Sequence, residues 1–356
     1  MTTKPIKIKL PSRKYKIIGP EYPVFIVAEM SCNHLGSFHR AKKIIDAAVS
    51  AGADAIKLQT YTPDTITINC SNKYFQIKNN RLWQGQTVYN LYKKAYMPWS
   101  WQPKLKKYAN KKGLVLFSFP LDCSAVNFLK KMNNPIYKVG SFEVVDIPLL
   151  KAIGKTKKPV IISRGMSTLS ELKLAIKTLK QNGTKNIIIL QCVSAYPCDP
   201  TEMNLSLIPD IKRRFKTIVG LSDHNLTNYT SITAVALGAK VIEKHLTLSR
   251  SDGGPDAEFS LNPKEFKKLV NAVRLVEKSL GKPEYKPAKQ EKKTIQFRKS
   301  LFAVANIKAG EKLTSKNIRS IRPGYGLAPK YYDKILGKHA VKDIKRGTPL
   351  KLTYIK

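Results

Sequence analysis

The feature that most constrains the fold of this chain is a regular alternation of short apolar runs with amphipathic stretches from residue 24 to residue 280. The apolar runs predict strands buried on both faces, and the amphipathic stretches predict helices. The predicted strands are Val24–Ala28, Ala53–Leu58, Leu114–Phe117, Ile136–Val139, Val160–Ile162, Ile187–Gln191, Thr217–Leu221 and Ala239–Ile242. The predicted helices cover residues 40–51, 99–112, 124–132, 147–156, 168–182, 203–215, 229–237 and 263–280.

Strand–helix units repeated eight times in about 250 residues predict an α/β fold of the (β/α)8 TIM-barrel type. An open, doubly wound sheet is the alternative. No Gly-x-Gly-x-x-Gly follows the first strand, and the regularity of the units favours closure into a barrel.

The rest of the chain predicts a second, smaller domain. Residues 282–298 are rich in Pro and Lys and predict a linker. Residues 299–356 contain short β-type runs separated by Gly, and the pattern x-Ile-Lys-x-Gly occurs twice there. We therefore expect a barrel over 1–281 and a small β-rich domain over 299–356. A domain of about 60 residues is only marginally stable on its own, so we expect this domain to pack against another surface.

The chain is strongly basic, with 64 Lys and Arg against 24 Asp and Glu and a net charge of +40. Such a charge suits nucleic-acid binding, and that function is kept as the alternative from another class. The excess is spread along the chain, however, and no zinc-finger, RRM or helix-turn-helix signature accompanies it. We predict a solvated lysine coat and no nucleic-acid partner.

Other bulk features favour a cytoplasmic enzyme. No apolar run approaches the roughly 20 residues of a membrane span, so no membrane partner is expected. The lysine-rich start, residues 1–18, lacks the apolar segment of a secretory signal. The five cysteines are an odd number without a Cys-x-x-Cys spacing, which argues against a disulfide framework and a thiolate metal site.

Two stretches, Ser222-Asp223-His224 and Glu243-Lys244-His245, end consecutive predicted strands. Side chains two residues apart in a strand share a face, so Ser222 points with His224 and Glu243 with His245. In a barrel, catalytic side chains come from the carboxyl ends of the strands. The two imidazoles are therefore predicted to converge on a metal ion or a reacting carbonyl.

The other strand ends also carry polar groups, and these predict an anion site. Two lysines and three serines are predicted to bind a phosphate and a carboxylate: Lys57, Lys138, Ser141, Ser163 and Ser222. Two carboxyl groups, Glu29 and Glu143, are candidates for acid–base work, with the orientation of a lysine or histidine as the alternative. The aromatic-rich segment 60–98 predicts a packed lid over the site.

Several motifs, which occur in the same order as in the sialic acid synthase family, resemble that family over nearly the whole chain. The segment Ile321-Arg322-Pro323-Gly324-Tyr325-Gly326 resembles the C-terminal antifreeze-like (SAF) domain of that family. In the barrel the motifs are Ala28-Glu29-x-x-x-Asn33-His34-x-Gly36, Ile56-Lys57-x-Gln59-Thr60, Tyr137-Lys138-Val139-Gly140-Ser141-x-Glu143, Ser163-x-Gly165-Met166, Gln191-Cys192-x-x-x-Tyr196-Pro197, Ser222-Asp223-His224 and Glu243-Lys244-His245.

This resemblance implies the condensation of phosphoenolpyruvate with an open-chain acetamido sugar to give a nonulosonic acid and phosphate. Further motifs, among them Leu82-Trp83-x-Gly85 and Pro98-Trp99-x-Trp101, resemble the branch whose acceptor is 2,4-diacetamido-2,4,6-trideoxy-L-altrose and whose product is pseudaminic acid. Sister branches that form legionaminic or N-acetylneuraminic acid are the alternative.

The resemblance also implies roles for individual residues. His224 and His245 would bind a divalent metal, Mn²⁺ or Mg²⁺. Glu143 would lie beside the bond-forming carbons. Phosphoenolpyruvate would be held by Lys57, Lys138, Ser141, Ser163, Ser194 and Ser222, and the sugar by Glu29, Gln59, Tyr196 and Asp256.

Two further expectations follow from the same resemblance. The protein would be a homodimer with swapped SAF domains, in which Arg322 of one subunit reaches the sugar bound by the other. Arg164 stands where the family usually has Thr, and it would either add a charge near the phosphate or face the helices.

Overall fold

The computed structural model describes residues 4–10, 15–78 and 82–356. Residues 1–3 and 11–14 of the lysine-rich start, and residues 79–81 of the predicted lid, lie outside the described residues. The chain divides into two compact units, residues 1–281 and 282–356. In the described part of the chain, none of the helices is both long enough and apolar enough to cross a lipid bilayer.

In the described residues of the first unit, eight parallel strands close a barrel in the order β10-β3-β4-β5-β6-β7-β8-β9, with β1 and β2 lying outside it. The barrel strands are β3 (Phe25–Glu29), β4 (Ala55–Thr60), β5 (Val115–Pro120), β6 (Tyr137–Val139), β7 (Val160–Ser163), β8 (Ile187–Cys192), β9 (Ile218–Asp223) and β10 (Val241–His245). The TIM-barrel prediction is confirmed, and the open doubly wound alternative is wrong because β10 pairs with β3.

Helices connect successive strands, and most of them cover the outside of the barrel. They are α1 (Phe38–Ala51), α2 (Pro63–Ile66), α3 (Val88–Ala95), α4 (Gln102–Lys111), α5 (Cys123–Lys131), α6 (Ile147–Lys155), α7 (Leu169–Gln181), α8 (Leu207–Phe215), α9 (Tyr229–Ala236) and α10 (Pro263–Leu280). Local sequence fixes where several of them begin. At the start of α7, for example, the Thr168 hydroxyl accepts from the Glu171 backbone N–H, and the Glu171 carboxylate accepts from the Thr168 N–H.

The amino-terminal end of the barrel is closed by an antiparallel hairpin that the sequence reasoning did not predict. Its strands are β1 (Ile6–Lys9) and β2 (Tyr15–Ile18). The buried side chains of Ile6, Ile8 and Ile18 join one apolar cluster with inward-facing barrel residues such as Phe25 and Phe117. Because apolar side chains fill this end, the polar strand ends are left to form a cavity at the opposite, carboxyl end.

The second unit has a small apolar core of its own, which includes Leu301, Ile318 and Leu350. Its antiparallel strands are β11 (Ser300–Ala303) and β12 (Ile318–Ile321), and a short helix, α11, covers Tyr332–Ile335. Residues 291–293 and 295–297 form short 3-10 turns. The Gly324 N–H donates to the Gln296 carbonyl at 2.8 Å, which joins this part of the predicted linker to the segment after β12.

Candidate active site at the carboxyl end of the barrel

A cavity of about 250 Å³ opens among the carboxyl ends of the barrel strands. The residues around it come from distant parts of the sequence, since most of the barrel strands, and the loops that follow them, supply side chains. Its lining includes these predicted site residues: Lys57, Gln59, Lys138, Ser141, Glu143, Ser163, Tyr196, Ser222, His224, His245 and Asp256.

Alternating charges form the floor of the cavity. Lys57 Nζ lies 2.9 Å from Glu29 Oε2 and 3.3 Å from Glu243 Oε1, and Lys138 Nζ lies 3.6 Å from the same Glu243 oxygen. All of these side chains are almost fully buried. Glu243 and Glu29 raise the pKa of Lys57 despite its burial, whereas burial lowers the pKa of Lys138 against the attraction of Glu243. The salt bridges hold both lysine side chains in place.

The two carboxyl groups of this floor are in different electrostatic states. Burial alone would raise the pKa of Glu243, but Lys138 and Lys57 outweigh it and lower that pKa to about 2. Burial raises the pKa of Glu29 to about 7, despite the opposing charge of Lys57. Glu243 is therefore a permanent anion, whereas Glu29 can gain or lose a proton near neutral pH.

Serine hydroxyls surround Lys138 on the anion side of the cavity. Lys138 Nζ donates to Ser163 Oγ at 2.8 Å, and the hydroxyls of Ser141 and Ser194 are 2.5 Å apart. Gly165 has a left-handed φ of 46°, and a Cβ there would lie 2.1 Å from Ser141 Cβ. Only glycine leaves room for this cluster. Ammonium and hydroxyl donors on one wall can bind a phosphate or a carboxylate.

The two imidazoles lie on the neighbouring wall, with ring centroids 5.5 Å apart. His224 Nδ1 donates to the Val193 carbonyl at 2.9 Å, which orients the ring. His245 Nδ1 is buried without a hydrogen-bond partner. Burial, together with the positive charge of His224 and the lysines, lowers the pKa of His245 far below its usual value.

This pair fits a divalent metal ion, because a neutral imidazole whose buried nitrogen has no hydrogen-bond partner can bind a metal. Among the described residues, no group of three or more His, Cys, Asp or Glu side chains is arranged to hold a metal. Asp256 Oδ2 lies 3.8 Å from His245 Nδ1, outside hydrogen-bonding distance. A metal held by His224 and His245 would therefore take its remaining ligands from water or substrate oxygens.

Beside the histidines, polar groups line a space suited to a hydroxylated substrate. Gln59 Nε2 donates to Ser31 Oγ at 2.9 Å and to Glu29 Oε1 at 3.3 Å. The Tyr196 ring lies 4.4 Å from the His224 ring, centroid to centroid. Burial raises the pKa of Asp256, an effect that the Ser31 hydroxyl opposes.

Glu143 also lines the cavity. Its Oε2 is buried without a hydrogen-bond partner. Burial raises its pKa to about 7, against the attraction of Lys138. A carboxyl group with this pKa and a free oxygen can give or take a proton at neutral pH.

The segment after β4 covers part of the cavity mouth, as its aromatic content predicts. Trp83 Nε1 donates to the Pro255 carbonyl at 3.1 Å, beside Asp256. The rings of Tyr61 and Tyr92 contact edge to face with centroids 5.6 Å apart. Leu91 and Ala95 of α3 add apolar surface to the lining.

Three residues proposed for the site lie outside the cavity lining. Glu29 and Ser194 stand directly behind it, in contact with Lys57 and Ser141 respectively. Arg322 belongs to the second unit, where it is exposed.

Arg164 turns away from the anion site. Its Nε donates to Gln191 Oε1 at 3.0 Å and its guanidinium donates to the Ser167 carbonyl at 3.3 Å. Of the two expectations for this residue, the structure supports the one in which it faces the helices.

The sequence places Glu243 on the inner face of β10 with His245, as the structure shows, but it did not predict that Glu243 pairs with both lysines. Ser222 Oγ also donates to Glu243 Oε1, at 3.0 Å, so this oxygen contacts Ser222 as well as the two lysines. Cys32 and Cys192 are buried and also line the cavity.

Comparison with known proteins identifies the family. Residues 44–285 match the NeuB family and residues 298–353 match the SAF domain. The chain is 43% identical to a pseudaminic acid synthase of Campylobacter jejuni, over 92% of this chain and 95% of the relative. It is 36% identical to an N,N'-diacetyllegionaminic acid synthase of the same species, over 90% and 96%.

A solved structure shows the same fold. The N-acetylneuraminic acid (sialic acid) synthetase of Leptospira borgpetersenii, crystallised with citrate, is 34% identical and superimposes with a TM-score of 0.71. The match covers 84% of this chain and 98% of that one. These matches confirm the resemblance drawn from the motifs, and the chain belongs to the NeuB family, with a carboxyl-terminal SAF domain.

Proposed function

We propose that this protein is a pseudaminic acid synthase, which condenses phosphoenolpyruvate with 2,4-diacetamido-2,4,6-trideoxy-L-altrose to give pseudaminic acid and phosphate. The observation that carries the proposal is one cavity that joins a lysine–serine wall to a pair of imidazoles. A dianionic enol phosphate and an aldehyde need such a combination within one small space.

On the anion side, Lys57, Lys138 and Ser163 would hold the phosphate and carboxylate of phosphoenolpyruvate, together with Ser141, Ser194 and Ser222. The salt bridges to Glu243 fix the ammonium groups before the substrate arrives. Their charge then binds the substrate without the loss of entropy that ordering free lysines would require.

On the sugar side, His224 and His245 would hold a divalent metal, which synthases of this family generally require. Bound there, Mn²⁺ or Mg²⁺ would polarise the sugar aldehyde as a Lewis acid. Glu29, Gln59, Tyr196 and Asp256 would orient the sugar hydroxyl and amide groups.

The reaction would form a bond between C3 of phosphoenolpyruvate and the aldehyde carbon. Positive charge then develops at C2, water adds to C2, and phosphate leaves. Glu143 carries a free carboxyl oxygen and a pKa of about 7, which suits proton transfer beside these carbons. The anion of Glu243 would stabilise the positive charge at C2.

We also propose that the enzyme is a homodimer with swapped SAF domains and works in the cytoplasm, where phosphoenolpyruvate is produced. Arg322 is exposed in the SAF unit, so it is available to another subunit. In this arrangement Arg322 of one subunit would bind the sugar held by the barrel of the other.

A panel of acceptor sugars tests the proposed substrate. The purified protein is incubated with phosphoenolpyruvate, Mn²⁺ or Mg²⁺, and either the altrose, the legionaminic acid precursor or N-acetylmannosamine, and products are identified by mass spectrometry. We expect preference for the altrose. Preference for either of the other sugars would assign the chain to a sister branch, and no product from any of them would contradict the proposed activity.

A further inference from the structure

Asp223 and Lys244 belong to a separate network on the outer face of β9 and β10. Asp223 stands between Ser222 and His224 in the sequence, and Lys244 stands between Glu243 and His245. Side chains alternate in a strand, so Asp223 and Lys244 point away from the cavity. They are directly paired in the register of β9 and β10. Lys244 Nζ lies 2.8 Å from Asp223 Oδ2, and both side chains are fully buried.

Asp223 is the centre of this network. Besides Lys244, its carboxylate accepts hydrogen bonds from the side chain and backbone N–H of Asn225, and from the hydroxyls of Thr230 and Ser231 at 2.8 and 2.7 Å. Thr230 and Ser231 belong to the first turn of α9. One carboxylate therefore ties β9 and the residues on both sides of His224 to the helix behind them.

Lys244 makes the second connection. Its Nζ also donates to the Thr227 carbonyl at 2.8 Å, in the loop that follows His224. The backbone that carries His245 is thereby clamped to the loop that begins at His224. Besides stabilising the fold, this salt bridge fixes the distance between two elements that each supply one imidazole.

We propose that Asp223 and Lys244 are a positioning pair that sets the separation of His224 and His245 for the metal ion. The pair acts through the backbone of β9 and β10 and touches no substrate. This inference rests on the proposed function, in which the two imidazoles hold the metal. It predicts that loosening the pair weakens metal binding more than phosphoenolpyruvate binding, because Lys57, Lys138 and Ser163 lie on β4, β6 and β7.

The test is Lys244→Met in the full-length chain, because Asp223 keeps its other hydrogen-bond donors in this variant. Free Mn²⁺ is measured by electron paramagnetic resonance during titration in the presence of phosphoenolpyruvate. Phosphoenolpyruvate affinity is measured separately by calorimetry without metal. We expect the Kd for Mn²⁺ to rise about 10–100-fold, as for the loss of other groups that orient metal ligands. The Kd for phosphoenolpyruvate should change less than that for Mn²⁺, because Ser222 is the one proposed phosphoenolpyruvate ligand on β9 or β10.

Arg274→Met is the matched control. Arg274 Nη2 pairs with Asp54 at 2.8 Å, near the opposite end of the barrel, so its loss weakens the fold without touching β9 or β10. Its thermal stability should fall while its Mn²⁺ affinity stays at the wild-type value. If Lys244→Met does not fold, Ser231→Ala removes one donor from Asp223 and should raise the Kd for Mn²⁺ by about 3–10-fold.

Two results would overturn the inference alone, provided that the wild-type protein binds Mn²⁺. One is wild-type Mn²⁺ affinity in a folded Lys244→Met, or in Ser231→Ala where it is used. The other is an equal loss of affinity in Arg274→Met. Failure of the wild-type protein to take up Mn²⁺ would instead remove the proposed metal site itself, and the inference with it.

Discussion

At the scale of single residues, the cavity depends on carboxyl groups that bear similar chemistry but lie in different surroundings. Glu243, between two lysines, stays ionised with a pKa of about 2. Glu143, half-buried and with one buried, unpartnered oxygen, has a pKa raised to about 7. The position of each carboxyl relative to Lys57 and Lys138 thus separates a permanent anion from a proton donor.

The raised pKa of Glu143 predicts a pH-dependent stability. Because burial raises this pKa above its unfolded value, the folded protein holds the proton more tightly, and this stabilisation is lost as pH rises through about 7. Glu143→Gln cannot ionise. The Tm of this variant relative to wild type should therefore increase between pH 5 and pH 8, by at least about 2 °C.

Calorimetry across this pH range checks the difference, and Glu202→Gln, at an exposed position, controls for the lost charge. A Tm difference that stays constant from pH 5 to pH 8 would show that the pKa of Glu143 is not raised in the folded protein.

At the scale of secondary-structure elements, the spacing of β9 and β10 decides where the imidazoles lie. Gly220 is in the middle of β9, and a Cβ there would lie 2.3 Å from the Val241 carbonyl oxygen and 2.6 Å from Leu190 Cδ2. The two strands therefore approach closely only because position 220 has no side chain.

Larger side chains at this position should force the strands apart in proportion to their size. We expect Gly220→Ala to lower the stability by about 1–3 kcal/mol and Gly220→Val to lower it further, as overpacked cores do. Mn²⁺ affinity should fall in the same order. Denaturant unfolding and Mn²⁺ titration measure the two effects, and a Gly220→Val variant with wild-type stability and affinity would refute this account of the spacing.

The elements also show how far the sequence predicts the structure. Every predicted barrel strand is present, because Val, Ile and Leu dominate the runs that cross the core. The predicted carboxyl ends of two strands were too early: β9 continues to Asp223 and β10 to His245, past the last apolar residue of each strand. Functional side chains occupy those last positions, so a prediction from apolar residues stops too early. The β1–β2 hairpin was missed because its Lys-rich sequence resembles a solvated tail.

At the scale of the whole molecule, the proposed homodimer would build each active site from residues of two subunits. The prediction is complementation between two inactive variants, Arg322→Ala and His245→Ala. In a mixed dimer, the barrel with an intact His245 belongs to the subunit that lacks Arg322, and it would receive Arg322 from the other subunit. Co-refolded at equal amounts, the mixture should recover about a quarter of the active sites.

Turnover of the mixture, compared with each variant alone, measures this recovery. Activity no greater than the sum of the two separate variants would exclude a contribution of Arg322 across the dimer. Activity in Arg322→Ala alone at the wild-type level would remove this residue from the sugar site altogether.

The most direct test of the central claim is metal-dependent phosphate release from phosphoenolpyruvate and the altrose by wild type and His245→Ala. The wild-type protein should release phosphate only with Mn²⁺ or Mg²⁺. His245→Ala should lose turnover by at least about 100-fold, because the metal loses one of its two protein ligands, while its affinity for phosphoenolpyruvate stays near wild type. Near-normal turnover of His245→Ala would contradict the claim that the paired imidazoles activate the sugar aldehyde.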